Sequence, residues 1–158
     1  MLRRLTLLAA VIAVLSVTVA GMAWAVSKTG TNGANRIIGS SAQDMLYGLG
    51  GDDTIRGLES GDKLFGGRGG DTIYGGSGRD EADGGNGSDD VRGGGDRDNL
   101  KGSEGPDTLR GGDGNDDLHG RDGVDGNDFV IGGAGTNDTC WADSVDEIDF
   151  GTCENRNF

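Results

Sequence analysis

An apolar residue recurs at every ninth position along most of this chain, between stretches of glycine and polar residues. From Gly30 the sequence divides into ten consecutive units of nine residues, and two more units follow a three-residue insertion, Gly120 to Asp122. The eighth position is apolar in eleven of the twelve units, beginning with Ile37 and Leu46. This pattern predicts one short strand per unit, with its central side chain pointing into a thin core and its two neighbours facing outward.

Two other positions of the unit are nearly constant. The first is glycine in all twelve units, and the sixth is aspartate in ten, with Asn35 and Asn137 in the others. Glycines at positions 1, 2 and 4 allow a turn to adopt positive φ and let backbone carbonyls converge on an ion. Glycine makes up 34 of 158 residues, which without a pattern would predict disorder, but three periodicities in one register indicate a repeat fold.

The N-terminal segment has the features of a secretory signal. Arg3 and Arg4 precede an apolar run, and Ala23-Trp24-Ala25 reads as an A-x-A cleavage site. We expect residues 1–25 to be a signal peptide cleaved after Ala25 and the protein to be secreted. An uncleaved membrane anchor is the alternative, because a run of about 20 apolar residues can span a bilayer.

The chain is strongly acidic. It has 14 Lys and Arg against 27 Asp and Glu, so without Arg3 and Arg4 the net charge is −15. This charge argues against nucleic acid or an anionic membrane as partner and favours cations. Cys140 and Cys153 are the only cysteines, and we expect them to form one disulfide that closes a short loop, with a metal–thiolate site as the weaker alternative.

The repeat resembles the hemolysin-type calcium-binding repeat, the RTX nonapeptide G-G-x-G-x-D-x-U-x, over residues 30 to 140. The resemblance implies an all-β parallel β-roll of about twelve units over residues 26–140. In such a roll six residues form a turn and three form a short strand. Two units make one coil, so successive units lie on opposite sides.

The sixth-position aspartates would then stack in two columns with a coil spacing of about 4.8 Å. Carboxylates about 5 Å apart repel by about 1 kcal/mol even at the dielectric constant of water, so we expect several Ca²⁺ ions between the turns. Oxygen ligands and loose geometry favour Ca²⁺ over Mg²⁺ or softer metals. The alternative is that each aspartate bonds only its own turn. The expected ligands are Asp53, Asp62, Asp71, Asp80, Asp89, Asp98, Asp107, Asp116 and Asp128, with Asp44 weaker, and carbonyls of turn residues such as Gly67, Gly69, Gly76, Gly78, Gly85, Gly87, Gly112 and Gly114.

The pattern weakens at both ends of the repeat. Asn35 replaces an acidic ligand in the first unit, and terminal repeats commonly act as caps. Asp125, beside the insertion, is either an extra ligand or a loop charge, and we favour the loop. Residues 141–158 contain no nonapeptide, and we expect them to form a C-terminal cap held by the disulfide.

No catalytic motif stands out, and we expect no enzyme activity. HExxH and GxSxG are missing, and His119 is the only histidine. The first functional hypothesis is a secreted protein that folds when it binds calcium. The alternative is an adhesion or matrix protein whose calcium-loaded roll presents a face to a glycan or protein partner, with Arg56, Arg92 and Arg110 on one such face. The sequence leaves the oligomeric state open.

Overall fold

The computed structural model describes residues 24–124, 127–144, 146–149 and 152–157. The predicted signal segment up to residue 23, the cleavage-motif residue Ala23 included, lies outside these ranges, as does Asp125 beside the insertion. No helix long and apolar enough to cross a membrane occurs in the described ranges.

Within these described ranges, fifteen short β-strands form two parallel sheets, which we call sheet A and sheet B. Sheet A contains, in spatial order, β1 (Ser27–Thr29), β3 (Met45–Gly50), β5 (Lys63–Arg68), β7 (Glu81–Asn86), β9 (Asn99–Glu104), β11 (Asp117–His119), β13 (Thr139–Trp141) and β15 (Asn155–Asn157). Sheet B contains β2 (Arg36–Ile38), β4 (Thr54–Glu59), β6 (Thr72–Ser77), β8 (Asp90–Gly95), β10 (Thr108–Asp113), β12 (Phe129–Ala134) and β14 (Glu147–Ile148). Successive strands alternate between the sheets, so the predicted all-β parallel roll is confirmed.

Each coil of the roll contains two repeat units, as the sequence predicted. Leu64 pairs with Ala82 in sheet A, and Ile73 pairs with Val91 in sheet B, each 18 residues apart. Most strands have six residues rather than the expected three. The additional residues belong to the first half of the turn, where Gly67 still pairs with Gly85 of the next coil.

The core is a single row of side chains from each sheet. All members of this row are buried, and most have no exposed surface: Ile37, Leu46, Ile55, Leu64, Ile73, Ala82, Val91, Leu100, Leu109, Leu118, Val130, Cys140 and Ile148. Their neighbours in the strands are half-buried or exposed on the outer faces. With one inward side chain per strand, the apolar contribution to stability is small for a chain of this length.

Glycines at different positions of the unit serve different purposes. At positions 2 and 4 the backbone has positive φ, as at Gly67 (φ 113) and Gly69 (φ 119). At position 1, glycine is required because there is no room for a side chain. A Cβ on Gly66 would lie closer than 3.0 Å to the Asp71 carboxylate and to the Gly84 carbonyl of the next coil. Glycine at position 1 is therefore constant because two oxygens crowd it, and not because of its φ.

The register of the last units differs from the one read in the sequence. Gly120 donates its N–H to the Trp141 carbonyl at 2.9 Å, as Gly39 does to Arg56 at 2.8 Å. Gly120, and not Gly123, thus begins the unit, and the insertion lies inside the turn.

The following turn is one residue longer than expected. Leu118 pairs with Cys140, so Cys140 takes the inward position assigned to Thr139. Asp138 correspondingly takes the sixth position assigned to Asn137.

The segment predicted to form the C-terminal cap continues both sheets. Strand β14 pairs with β12, and β15 pairs with β13. Cys140 and Cys153 form the expected disulfide, with their Cα atoms 5.9 Å apart. Both half-cystines are buried at this end of the core. Val145 and Phe150 of the same segment lie outside the described residues.

Charged residues take the inward position in the first and last strands of sheet A. Lys28 pairs in register with Leu46, and its ammonium donates a hydrogen bond to the carbonyl of Ile38. Arg156 pairs in register with Cys140. Charges on edge strands oppose pairing with another chain, so both ends of sheet A are protected against continued stacking.

In some units leucine replaces glycine at position 2, and one such leucine tests whether positive φ explains the glycines at that position. Leu58 has φ 99 and is 44% exposed. We expect Leu58→Gly to stabilise the calcium-loaded protein by about 1 kcal/mol, because positive φ costs a non-glycine residue about 1–2 kcal/mol. Met45→Gly is the control, since Met45 is 38% exposed and is not among the residues with positive φ. Urea unfolding should separate the two variants, and equal destabilisation would contradict the argument.

Candidate metal centres

In most units an aspartate ends the turn and immediately precedes a strand. The aspartates before sheet A and those before sheet B form two separate columns along the roll, as the sequence predicted. They are at most 3% exposed at every predicted ligand position: Asp44, Asp53, Asp62, Asp71, Asp80, Asp89, Asp98, Asp107, Asp116 and Asp128. Whole columns of buried carboxylates require compensation, because an unpaired buried charge is costly.

One carboxylate oxygen of each aspartate is bound within the column. Oδ1 of Asp71 accepts a hydrogen bond from the backbone N–H of Asp53 at 2.7 Å, and Oδ1 of Asp89 accepts one from Asp71 at 2.7 Å. The same bond joins Asp107 to Asp128 at 2.8 Å. These bonds run from coil to coil and fix the orientation of each carboxylate.

The second oxygen of these aspartates has no hydrogen-bond partner. Within the described residues, Oδ2 is both buried and unpartnered in Asp53, Asp62, Asp71, Asp80, Asp89, Asp98, Asp107, Asp116, Asp128 and Asp138. A buried acceptor without a donor is rare in folded proteins because of its desolvation cost. Ten of them in equivalent positions form a series of buried acceptors suited to cation binding at each level.

Backbone carbonyls approach the same regions. The Asp71 Oδ2 and the Gly84 carbonyl crowd the Cα of Gly66 from the same side. Where positions 2 and 4 of the next coil are again glycine, the carbonyl is directed along the roll toward that glycine, as Gly67 is toward Gly85. Six of the eight predicted carbonyls have this arrangement: Gly67, Gly69, Gly76, Gly87, Gly112 and Gly114. The other two, Gly78 and Gly85, have Asp96 and Ser103 one coil later.

A cation bound between coils would take its oxygen ligands from both side chains and the backbone. In the described parts of the chain, no three Asp, Glu, His or Cys side chains come together closely enough to hold a metal ion. A cation between coils would therefore combine carboxylate and carbonyl oxygens. This all-oxygen set with loose geometry fits Ca²⁺.

Burial raises the pKa of the central aspartates. The pKa reaches about 8 for Asp98 and about 7 for Asp80, chiefly through desolvation, although the backbone N–H bond to each carboxylate lowers it. Neighbouring carboxylates of the same column add to the rise. Near neutral pH, the metal-free columns therefore resist full ionisation.

The first aspartate of its column differs from the others. Both oxygens of Asp44 accept hydrogen bonds from the Ser40 hydroxyl at 3.0 Å, and Oδ1 also accepts one from the N–H of Val26 at 2.6 Å. Asn35, at the start of the other column, carries no charge. Protein donors therefore occupy part of the Asp44 carboxylate, and a weaker site there stays a prediction.

Sequence reasoning missed three acidic residues of the columns, of which Glu154 is the last, accepting the backbone N–H of Asp138 at 2.7 Å. Asp138 is fully buried, and its Oδ1 accepts the N–H of Asp116 at 2.8 Å. Asp146 follows Asp128 in the other column. A shift of one residue in the last unit, which places Asp138 at position 6 and Cys140 at position 8, is the signal that would have identified Asp138.

Comparison with known families agrees with this geometry. The model of the RTX calcium-binding nonapeptide repeat matches residues 29–64, 57–91, 65–100, 92–125 and 122–144. The chain belongs to the RTX calcium-binding nonapeptide repeat family. Repeats of this RTX family bind calcium ions at multiple sites. No curated protein and no solved structure matches the chain.

The raised pKa values predict opposite pH responses for the metal-free and calcium-loaded forms of this RTX protein. A carboxylate with a folded-state pKa of about 6 to 8 binds protons more tightly in the folded state. The metal-free roll should therefore gain stability as pH falls from 7.5 to 5. The calcium-loaded roll should lose stability over the same range, because protons compete with the ions.

Far-UV circular dichroism from pH 7.5 to 5 measures the change of β signal in the metal-stripped sample, and chemical unfolding over the same range measures the stability of the calcium-saturated one. Changes in the same direction in the two samples would contradict the interpretation of the buried columns.

Proposed function

We propose that this RTX protein is secreted and non-catalytic, and that its roll folds when Ca²⁺ ions occupy the spaces between successive turns. The observation that carries the proposal is the set of ten buried Oδ2 atoms in the two aspartate columns, none of which has a hydrogen-bond partner among the described residues. A calcium ion supplies the positive charge that compensates these buried carboxylates. Because the sites do not exist in the unfolded chain, binding free energy contributes directly to folding.

The proposed ligands are those predicted from the sequence, with one addition. Asp53 to Asp128 at the sixth positions supply carboxylates, and glycine carbonyls at positions 2 and 4 complete the spheres. Asp138 joins them, because its Oδ2 is buried and unpartnered like the others. Asp44 contributes less, since protein donors already satisfy its carboxylate.

Export of the chain is supported by two independent features. The first is the N-terminal sequence, with Arg3 and Arg4 before an apolar run and an A-x-A motif ending at Ala25. The second is the disulfide between Cys140 and Cys153, since such bonds persist in oxidising compartments. Extracellular calcium modules commonly bind in the 10⁻⁴ to 10⁻³ M range, so the roll would form after export.

The absence of catalysis is supported by how the reactive side chains are used. Both cysteines are in the disulfide, and the only histidine, His119, stacks on Trp141 with ring centroids 5.6 Å apart. The repeated carboxylates are accounted for by cation binding. The proposed domain organisation is a signal at 1–25, the roll at 26–140 and the disulfide-closed end at 141–158.

Calcium titration of the protein tests the proposal. Far-UV circular dichroism should show a cooperative gain of β-structure with Ca²⁺ and little change with equal Mg²⁺. A β-rich signal in chelator that calcium does not change would mean that the apolar row and the disulfide are sufficient for folding, and the proposal would be wrong.

A single substitution separates a ligand role from a structural one. We expect Asp98→Asn to raise the calcium midpoint at least about twofold, since affinity depends on the number of charged ligands. The metal-free β signal should stay the same or increase, because a buried amide is less costly than a buried carboxylate. Asp83→Asn, in the outward ninth position of β7, is the matched control and should change neither quantity. A loss of β-structure in both conditions for Asp98→Asn would indicate a purely structural residue.

A further inference from the structure

Positive charge collects on one outer surface of the roll, which we call the arginine face. It consists of the outward side chains at the seventh and ninth positions of β2, β4, β6, β8, β10 and β12 in sheet B, whereas Glu59 and Asp113, which end β4 and β10, belong to the adjoining turns. It carries Arg36, Arg56, Arg92 and Arg110 against one carboxylate, Asp90, a net charge of +3. The chain without Arg3 and Arg4 has a net charge of −15, so this surface is opposite in sign to the molecule as a whole.

The central side chains of the arginine face stand in one line. Arg56 pairs in register with Tyr74, Tyr74 with Arg92, and Arg92 with Arg110. The Cζ atoms of Arg56 and Arg92 lie 5.0 and 5.2 Å from the centre of the Tyr74 ring. The ring holds both guanidinium groups in place through cation–π contacts. Successive members of the line are about 4.8 Å apart along the roll.

Most of this positive charge is not neutralised by the protein. Arg92 and Arg110 share the carboxylate of Asp90, at 2.6 and 2.7 Å. Among the residues that the structure describes, no carboxylate lies within 4.0 Å of the Arg36 or Arg56 side chain. Internal charge compensation therefore accounts for only part of the face.

A second line of side chains runs beside the arginines. Thr54 and Thr72 pair in register, and Thr108 pairs with Asp90 farther along. All three threonines are half-buried and present hydroxyl groups. The strip is thus two side chains wide, with the arginines and Tyr74 along one side and the threonines along the other, where Arg36 precedes Thr54 and Asp90 lies between Thr72 and Thr108. On both flanks it is bounded by the acidic turns.

We propose that the arginine face binds a linear acidic polysaccharide that lies along the roll. Its acid groups would contact Arg56, Arg92 and Arg110, and its hydroxyls would contact the threonine line. A narrow chain of spaced negative charges fits this strip, whereas duplex nucleic acid would also meet the acidic turns on either side. The proposal rests on the calcium-dependent fold, because β4, β6, β8 and β10 align these residues only in the folded roll.

Binding of heparin and hyaluronan oligosaccharides to the calcium-loaded protein tests this proposal. Calorimetry should show binding to at least one of them that weakens as NaCl is raised. We expect Arg56→Gln with Arg110→Gln to weaken it at least about fivefold, through the loss of two charge-assisted contacts. The matched control is Arg68→Gln with Arg79→Gln, an equal change of charge at exposed positions away from the face, and it should have less than half that effect.

A variant that binds the oligosaccharides more tightly gives a more discriminating test. Asp90→Asn releases Arg92 and Arg110 from their shared carboxylate and should strengthen binding about two- to threefold. Asp83→Asn makes the same change of charge on sheet A, where Asp83 pairs with Lys101 at 3.8 Å, and should have little effect. Equal gains from both variants would indicate a response to net charge alone and would overturn the proposal.

Circular dichroism on the same samples distinguishes the two proposals. A protein that folds with calcium but binds neither oligosaccharide overturns the proposal for the arginine face and leaves the calcium function intact. Unchanged binding by the double arginine variant would mean that calcium bridges the glycan to the acidic turns, and it overturns the proposal. Equal binding of a DNA duplex also overturns it. A protein that does not fold with calcium refutes both proposals.

Discussion

Repulsion between stacked, buried carboxylates is the constraint on which the rest of this roll depends. Each coil buries two acidic groups, and the next coil places two more directly beside them, about 4.8 Å away. Coil-to-coil hydrogen bonds satisfy one oxygen of each carboxylate and leave the other without a partner. The apolar row contributes one side chain per strand, which is too little to offset columns of uncompensated charge. In the function proposed above, calcium reverses the sign of this interaction and thereby links folding to the ion.

The glycine pattern follows from the same constraint. Glycine at the first position leaves room for a carboxylate oxygen and a carbonyl oxygen to approach each other, as at Gly66. Glycines at the second and fourth positions allow the backbone to turn its carbonyls along the roll, toward the next coil. Composition that would predict disorder in another context is here a requirement for bringing backbone oxygens to a metal ion.

The side chains on the outer faces of the two sheets do not take part in the carboxylate columns or the glycine turns. The two faces differ in composition. Sheet A carries stacked aromatic pairs, Tyr47 with Phe65 and His119 with Trp141. Sheet B carries the line of arginines around Tyr74. If calcium holds the turns together as proposed, side chains on these faces are free to contact a partner without loss of the fold. The charged residues at the inward positions of β1 and β15 limit growth of sheet A at its ends.

The nine-residue period by itself determined the fold, the two aspartate columns and their preference for calcium, because each property repeats with every unit. The disulfide also followed from a count of two cysteines. Only the tertiary structure decided where the register resumes after Gly120 and why Asp138, rather than Asn137, enters a column. Turns absorb extra residues without disturbing the strands, so the pairing across 18 or more residues, and not the spacing along the chain, selects the buried carboxylate. The same pairing decided which arginines share Asp90 and which remain unneutralised.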